Sequence, residues 1–261
     1  MVTRELRQRM CEAEVRAAEA VGYTNAGTVE FLLDPTGKFY FLEMNTRLQV
    51  EHPVTEMVTG LDLVRAQLQI AQGHRLGSEF EDVEPQGHAI EVRLYAEDPY
   101  HGFVPSPGTI RRLRWPEGPG VRNDAGVYEG AEVPIHYDPL LAKLIVWGRD
   151  REQAMERLGR ALSELRIEGI RTTVPLFKAL LGDEDFRTGR LDIGMLDRKM
   201  ADGELAADPK IGFPELAVIA AALEHLQGQA RSSAVPVREG GKRERWRHAA
   251  RREMLRGNPW S

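Results

Sequence analysis

In the stretch Glu43-Met44-Asn45-Thr46-Arg47-Leu48-Gln49-Val50-Glu51-His52-Pro53, residues that carry charge or hydrogen-bonding groups recur at every second position. Glu43, Asn45, Arg47, Gln49 and Glu51 make one set; Met44, Leu48 and Val50 belong to the other. The polar set holds two carboxylates, two amides and one guanidinium, and no lysine. It is either the wet side of a half-exposed strand or one wall of a site. A further carboxylate, Glu30, lies in the preceding apolar run Gly27–Leu33. With that run and residues 38–45 drawn as a hairpin, Leu33 opposite Lys38, Glu30 faces Phe41 and Glu43 faces Thr28. Glu30 and Glu43 then share a face as diagonal neighbours, roughly 7–8 Å apart at the backbone. Asn45 follows two residues further along that face. Two carboxylates and an amide oxygen form a hard, oxygen-only set suited to Mg²⁺ or Mn²⁺ bridging to phosphates. Without a cation the two like charges repel. Spacing alone leaves the alternative open, because exposed carboxylates are common on the wet face of an antiparallel sheet.

Several elements must position these groups. Leu6, Met10, Ala13, Ala17 and Val21 recur at spacings of three and four, which predicts a helix over 3–21 ended by Gly22. Cys11 falls near its apolar side and reads as a packing residue. Asp34-Pro35-Thr36-Gly37 has turn chemistry between the two strands. Pro53 opens a helical pattern over 54–73 that Gly73 can cap. Residues 73–87 read as a connection. Strands follow at 88–96, 109–115, near 130–138 and at 141–148, with Asp138 as a turn residue and Lys143 as structural. Asp150 with Gln153 suggests a capping box for a helix over 151–166, with Ala154, Leu158, Leu162 and Leu165 on one stripe. A shorter helix is expected over 173–182. Beyond about 200 come a helical run (215–227), a linker (228–242) and a basic final helix (243–257). The fold class is α+β.

In the strand 88–96, Ile90, Val92, Leu94 and Ala96 take one face and leave Glu91 and Arg93 on the other. From the residues alone, a surface ion pair between Glu91 and Arg93 is the favoured reading over a site.

The chain has 261 residues, 42% hydrophobic and 29% charged, with a formal net charge of −5. That balance gives no reason to expect nucleic acid as the main partner. No apolar run is long enough to span a bilayer, and the first residues lack a signal-peptide core. A single cysteine fits a reducing compartment, so a soluble, cytoplasmic protein is expected.

The run EFLLDPTGKFYFLEMNTRLQVEHPVTEMVTGLDLVRAQLQIAQG closely resembles the late part of the ATP-grasp fold of biotin carboxylases. GHAIEVRLYAEDP, FVPSPGTI, YDPLLAKLIVWG and IEGIRTTVPLFKALLGDEDFRTG resemble the C-terminal domain of the same family, in the same order. The resemblance covers residues 1 to about 200. It implies the C-terminal part of an ATP-grasp domain (1–73), a mixed, mainly antiparallel β domain with helices (74–200) and a helical or linker tail (201–261). It further implies ATP-dependent carboxylation of carrier-bound biotin by bicarbonate through carboxyphosphate, in a biotin-dependent acyl-CoA carboxylase. Glu30, Glu43 and Asn45 would be metal ligands for Mg²⁺ or Mn²⁺, the glutamates also reaching ATP through the metal. Arg47, Gln49 and the backbone at Val50 would hold bicarbonate, and Glu51 would be the general base. Arg93 would stabilise carboxyphosphate and then the biotin enolate. The residue types suit this chemistry: a guanidinium can bind a planar anion bidentately, and attack of one anion on another needs donors already in place. His52 is read as structural, since the resemblance gives the base to Glu51.

Family members carry a first domain and a lid with a glycine-rich loop ahead of this region, and neither is expected here. EGGKRE at 239–244 lies in an apparent linker and is rejected as a phosphate loop. The biotin-bearing lysine between two methionines is also missing; DRKM at 197–200 lacks the first of them. The expected partners are therefore a separate biotin carboxyl carrier protein, a separate N-terminal half, a second copy in a homodimer and a carboxyltransferase subunit, with no membrane and no nucleic acid. The chain is expected to be incomplete and inactive alone. The alternatives are a non-catalytic assembly module or truncated remnant, and another ATP-grasp ligase, against which RLQVEHPVTE and the domain after 88 argue.

Overall fold

The computed structural model describes residues 2–205, and the helices and linker expected beyond them lie outside the described residues. Helix α1 (Arg4–Ala20) begins at Thr3, whose hydroxyl accepts the Leu6 N–H at 3.2 Å. It ends where the Gly22 N–H returns to the Glu19 carbonyl at 3.0 Å and that of Tyr23 to Ala18 at 2.9 Å. The expected stripe holds through Ala17: Leu6 is buried, and Met10, Ala13 and Ala17 are half-buried. Val21 lies past the helix end and is exposed. Cys11, expected to pack, is exposed as well. It sits one residue, about 100° of rotation, from Met10 on the stripe.

Strands β1 (Thr28–Leu33) and β2 (Phe39–Asn45) form the expected antiparallel hairpin, but not in the drawn register. The Asp34 carboxylate accepts the backbone N–H of Thr36 at 2.8 Å and of Lys38 at 3.0 Å, and the Asp34 N–H bonds the Lys38 carbonyl at 2.9 Å. Pro35-Thr36-Gly37 is therefore a three-residue loop, with Gly37 at φ +83° where a side chain would be strained. Leu33 pairs with Phe39 instead of Lys38. A bulge between Glu30 and Phe31 then makes Leu42 the extra residue. The two displacements bring Glu30 directly opposite Glu43, so they are paired rather than diagonal.

The single helical pattern read over 54–73 is two helices, α2 (His52–Thr59) and α3 (Leu63–Ala71). Gly60, at φ +75°, ends the first, and the Asp62 carboxylate caps the second by accepting the Arg65 N–H at 2.8 Å. Gly73 closes α3 as expected, its N–H bonded to the Ile70 carbonyl at 2.9 Å.

The remaining strands are β3 (His88–Tyr95), β4 (Glu97–Asp98), β5 (Val104–Pro105), β6 (Gly108–Thr109), β7 (Arg112–Arg114), β8 (Val121–Ala125), β9 (Glu132–Val133), β10 (Leu140–Gly148) and β11 (Arg166–Glu168). Helices α4 (Arg151–Glu164), α5 (Val174–Leu180), α6 (Glu184–Thr188) and α7 (Met195–Ala201) complete the described residues. β3, β10 and β8 form a three-stranded antiparallel sheet with β10 in the middle. The predicted strand 109–115 splits at Ile110 because the chain changes partner there. The Ile110 N–H bonds the Ala131 carbonyl at 2.9 Å, while that of Arg111 turns to Glu168 at 2.7 Å. β8 was not foreseen: VRNDA is mostly polar, and pairing with β10 makes it a strand.

Helix α4 covers one face of this sheet. Asp150 caps it by accepting the Gln153 N–H at 2.8 Å, while the Gln153 side chain reaches back to the Arg149 N–H at 2.9 Å, one residue beyond the expected box. Its stripe, Ala154, Leu158, Leu162 and Leu165, is buried as predicted, the three leucines against Val92, Leu94, Leu144 and Val146. Truncating any of these leucines to alanine costs about 2–5 kcal/mol. The other face of β3 and β10 meets α2. Ile145 is buried on that face, and Leu141, at an irregularity in the β3 pairing, is buried among Ala96, Ile110 and Val133, so β10 is apolar on both sides except at Lys143. Among the described residues no helix is long and apolar enough to cross a membrane.

Candidate active site

β2 ends at Asn45, and residues 46–51 form an irregular turn before α2, so the polar residues of the opening motif lie partly on a strand and partly on a loop. The hairpin contributes Glu30, Glu43 and Asn45. The Asn45 amide nitrogen donates to Glu30 Oε1 at 3.0 Å and to Glu43 Oε1 at 3.2 Å. One donor thus spans the gap between two facing carboxylates, the place a divalent cation would neutralise. Both carboxylates are hard donors at that point, and turning the Asn45 amide over would bring its oxygen there in place of the nitrogen, so the set fits Mg²⁺ or Mn²⁺ with further ligands from phosphate. Among the described residues no group of three or more His, Cys, Asp or Glu side chains could hold a metal, so a cation here depends on the amide and on phosphate oxygens.

The loop continues this network. Gln49 Nε2 donates to Glu30 Oε1 at 3.0 Å, and Arg47 donates to Gln49 Oε1 at 2.9 Å and to the Leu48 carbonyl at 3.2 Å. Arg47 and Gln49 are thereby held beside the carboxylate pair, with the Arg47 guanidinium exposed. His52 takes the structural place expected of it. Its Nδ1 donates to the Gln49 carbonyl at 2.9 Å, and its backbone N–H bonds the same oxygen at 3.2 Å.

Arg93 does not pair with Glu91. Its guanidinium donates to Glu51 Oε2 at 2.7 Å across 42 residues of sequence, joining β3 to the loop. Burial opposes the charge on Arg93, but Tyr95, Glu51 and Glu91 around it outweigh burial and raise its pKa. Glu91 lies beside this pair with both carboxylate oxygens buried and without a hydrogen-bond partner among the described residues. Its pKa is pushed up to about 7, first by desolvation and then by Glu51 and Asp124, while Lys143 and Arg93 act in the opposite sense. Thr173 fixes the end of β3: its N–H bonds the Tyr95 carbonyl at 3.1 Å and its hydroxyl accepts the Tyr95 N–H at 3.1 Å.

Two residues that sequence reasoning passed over adjoin the site. Lys143, read as structural, donates to the Val50 carbonyl at 3.1 Å and lies 3.6 Å from Asp124. The signal was a lysine in an otherwise apolar strand. Asp124, on the unforeseen strand, had no signal in its neighbourhood. Asp138 is the turn residue expected, its carboxylate accepting the Leu140 N–H at 2.8 Å.

The structure therefore brings all eight sequence-derived candidates to one region: Glu30, Glu43 and Asn45 on the hairpin, Arg47, Gln49, Val50 and Glu51 on the loop, and Arg93 from the sheet. A carboxylate and amide set suited to a metal and phosphates lies beside a guanidinium, an amide and a carboxylate–arginine pair, groups whose chemistry suits holding two anions side by side and taking a proton between them.

Residues 91–198 match the biotin carboxylase C-terminal domain, and residues 1–79 match the ATP-binding domain of the carbamoyl-phosphate synthase L chain. The chain is 52% identical over 207 residues to a pyruvate carboxylase subunit from Methanothermobacter thermautotrophicus, covering 78% of this chain and 42% of that protein. It is 52% identical over 187 residues to a biotin carboxylase of Nostoc sp., covering 72% of this chain and 42% of that protein. Among solved structures, the biotin carboxylase domain dimer of Hydrogenobacter thermophilus 2-oxoglutarate carboxylase, in complex with MgADP, ADP and bicarbonate, matches with a TM-score of 0.76 at 44% identity. It covers 80% of this chain and 46% of that one. The chain spans less than half the length of the relatives it matches. With half of its aligned residues identical to these relatives and their fold reproduced, the chain belongs to the biotin carboxylase family.

Proposed function

We propose that this chain supplies the metal and bicarbonate wall of a biotin carboxylase, which carboxylates carrier-bound biotin at the expense of ATP. The observation that carries the reading is the Arg93–Glu51 contact at 2.7 Å, which joins the two separately matched regions at the residues the chemistry needs. Glu30, Glu43 and Asn45 would hold Mg²⁺ or Mn²⁺, which when bound neutralises nucleotide phosphates. Arg47, Gln49 and the Val50 backbone bind and orient bicarbonate. Glu51 Oε2 accepts the bicarbonate proton as the anion attacks the γ-phosphate and ADP leaves, and Arg93 holds Glu51 in place and then stabilises carboxyphosphate and, after it, the biotin enolate. The fit of the nearby MgADP- and bicarbonate-bound relative supports this assignment of ligands.

We further propose that the chain does not turn over alone. Leu32, Tyr40, Phe41 and Leu42 of the hairpin are all more than half exposed, an apolar surface that asks for a cover. The remainder of the ATP-grasp module, carried on an N-terminal half, is the proposed cover. A carrier protein and a carboxyltransferase complete the set of partners, with a second copy in a homodimer and a cytoplasmic setting. An acyl-CoA is the acceptor proposed for the assembled enzyme; a 2-oxo acid is the alternative, since relatives named for pyruvate and 2-oxoglutarate carboxylases share the matched region.

The test is biotin- and bicarbonate-dependent ATP hydrolysis with Mg²⁺, by the chain alone and with a supplied N-terminal half, with Glu51→Gln and Arg93→Ala as controls. Activity only with the added half, lost in both variants, supports the whole reading. Activity of the chain alone overturns the second proposal. No activity from a folded chain with a competent half points to a non-catalytic assembly module.

A further inference from the structure

Lys143 is the one charged residue in the nine-residue strand β10, Leu-Leu-Ala-Lys-Leu-Ile-Val-Trp-Gly. Because β10 is central, Lys143 is paired with Arg93 on one side and with Asp124 on the other. Its side chain is only 14% exposed. An ammonium in such a place is costly unless its donors are used. Two partners take them: the Val50 carbonyl at 3.1 Å and the Asp124 carboxylate at 3.6 Å.

Asp124 is itself anchored. Arg122 grips it with Nε and Nη2 at 2.8 and 2.9 Å, and its remaining nitrogen donates to Glu56 Oε2 at 2.6 Å. Glu56 is buried in α2, and its other oxygen accepts the Leu63 N–H at 2.8 Å. A line of polar contacts therefore runs from the α2–α3 junction through Glu56, Arg122, Asp124 and Lys143 to the backbone of Val50. A simple surface ion pair would end in solvent; this line ends on a peptide carbonyl of the loop that carries Gln49, Val50 and Glu51.

The loop is held at two points from one sheet face. Arg93 and Lys143 are cross-strand partners, and each reaches the loop at consecutive residues, Arg93 at the Glu51 side chain and Lys143 at the Val50 carbonyl. A loop outside regular structure has few bonds of its own to fix its peptides. Fixing the Val50–Glu51 peptide sets both the backbone proposed to hold bicarbonate and the start of the Glu51 side chain. A donor in a sheet core costs little to keep in place, because its own rotamer is locked by packing.

We propose that Lys143 is a positioning residue for the anion-holding loop, docking the Val50 carbonyl so that the loop presents a preformed bicarbonate site. This rests on the reading that the Val50 region holds bicarbonate. The docking itself is a statement about the loop and can be read without any ligand.

Two measurements on the full chain separate the parts. Hydrogen–deuterium exchange of peptides covering 48–52 reads the loop, and line broadening of ¹³C-bicarbonate in the presence of Mg²⁺ reads the anion. Lys143→Met keeps the stem and removes the donor. Exchange over 48–52 should rise about tenfold or more, with the amides of β3 and β10 still protected, and Lys143→Arg should restore most of the protection. Bicarbonate affinity should fall at least severalfold in the methionine variant and recover in the arginine variant. Should the methionine variant not fold, Lys143→Gln, which is too short to reach Val50, is read for the same rise. Unchanged loop exchange in a folded variant without the lysine overturns the proposal, as does a mobile loop with unchanged bicarbonate affinity. No broadening by the unaltered chain sinks the bicarbonate reading instead, and leaves the exchange result to decide whether Lys143 docks the loop.

Discussion

Arg93 and Lys143 stand opposite each other in the β3–β10 ladder and grip adjacent residues of one loop, Arg93 through the Glu51 carboxylate and Lys143 through the Val50 carbonyl. The pairing matters because cross-strand neighbours have β-carbons about 4.5–5.5 Å apart, close to the spacing of consecutive residues along a chain. Two cations at that separation can therefore hold two successive peptides without distorting either strand. The same closeness would repel if both charges lacked partners, and Glu51, Asp124 and Glu91 supply the compensating carboxylates.

The Arg93–Glu51 pair should matter to chemistry far more than to folding. Both side chains are more than a third exposed, so the ion pair contributes under about 1 kcal/mol to stability. Arg93→Ala is expected to shift Tm by only a few degrees at most. In the assay with a supplied N-terminal half it should lower biotin-dependent ATP hydrolysis by about a hundredfold or more, the scale of losing one preorganised donor. A melting temperature that collapses along with activity would show the pair to be structural.

Glu91 gives the fold a pH signature. Its folded pKa is raised to about 7 from an ordinary 4.5, so the folded state binds the proton more tightly than the unfolded chain does. Its contribution to stability is therefore full below about pH 4.5 and is lost as pH rises towards 7. Glu91→Gln removes this slope. The variant should match the unaltered chain near pH 5 and exceed it near pH 8 by about 1–2 kcal/mol, less than the full shift implies because the residue is only half buried. Urea melts at the two pH values measure the difference. An equal difference at both would mean that Glu91 does not titrate in this window.

The facing glutamates predict a metal response. Glu30 and Glu43 are direct partners bridged by one amide, so Mn²⁺ should raise the melting temperature of the unaltered chain by relieving their repulsion. Glu30→Gln should be as stable as the unaltered chain without metal, since it removes one like charge, and should lose the rise with Mn²⁺. An Mn²⁺ rise that survives both Glu30→Gln and Glu43→Gln would place the cation elsewhere.

The hairpin, the α4 stripe and the alternation of β3 were all legible in the sequence because each is a local pattern of period 2 or 3.6. What escaped was set at longer range. The Glu30–Glu43 pairing depends on a bulge at Leu42 and on Asp34 closing a three-residue loop, neither of which alternation encodes. β8 is a strand only because β10 offers it a partner. Arg93 looked as though it belonged to Glu91 because they are two residues apart on one face; the actual partner lies 42 residues away. Lys143 was visible as an anomaly, yet its target, a backbone carbonyl, has no sequence signature at all. The break at Gly60 was signalled by Gly60 and Asp62 and was hidden by the apolar periodicity running across it.

The outer hairpin surface makes the last prediction. Leu32 and Tyr40 are cross-strand partners, so they share a face, and β1 alternation puts Glu30 on that same face two residues away. Both are more than half exposed, at 54% and 55%. An apolar pair beside a carboxylate pair is what a nucleotide cleft needs on its rim: one part to seal against the rest of the module, the other to meet phosphate. On the opposite face the Phe31 and Phe39 rings stack edge to face at 5.2 Å with the Arg9 guanidinium over Phe39, so Phe39 has packing to lose. Replacing Leu32 or Tyr40 with serine should therefore leave the melting temperature of the chain nearly unchanged, since little packing is lost. If the N-terminal half seats here, either change should weaken its association by at least about tenfold in titration calorimetry, the effect of removing an apolar anchor at an interface. Phe39→Ser should behave in the opposite way, destabilising the chain itself. Association that is indifferent to Leu32 and Tyr40 would mean that the partner seats elsewhere and that the exposed pair has another cover.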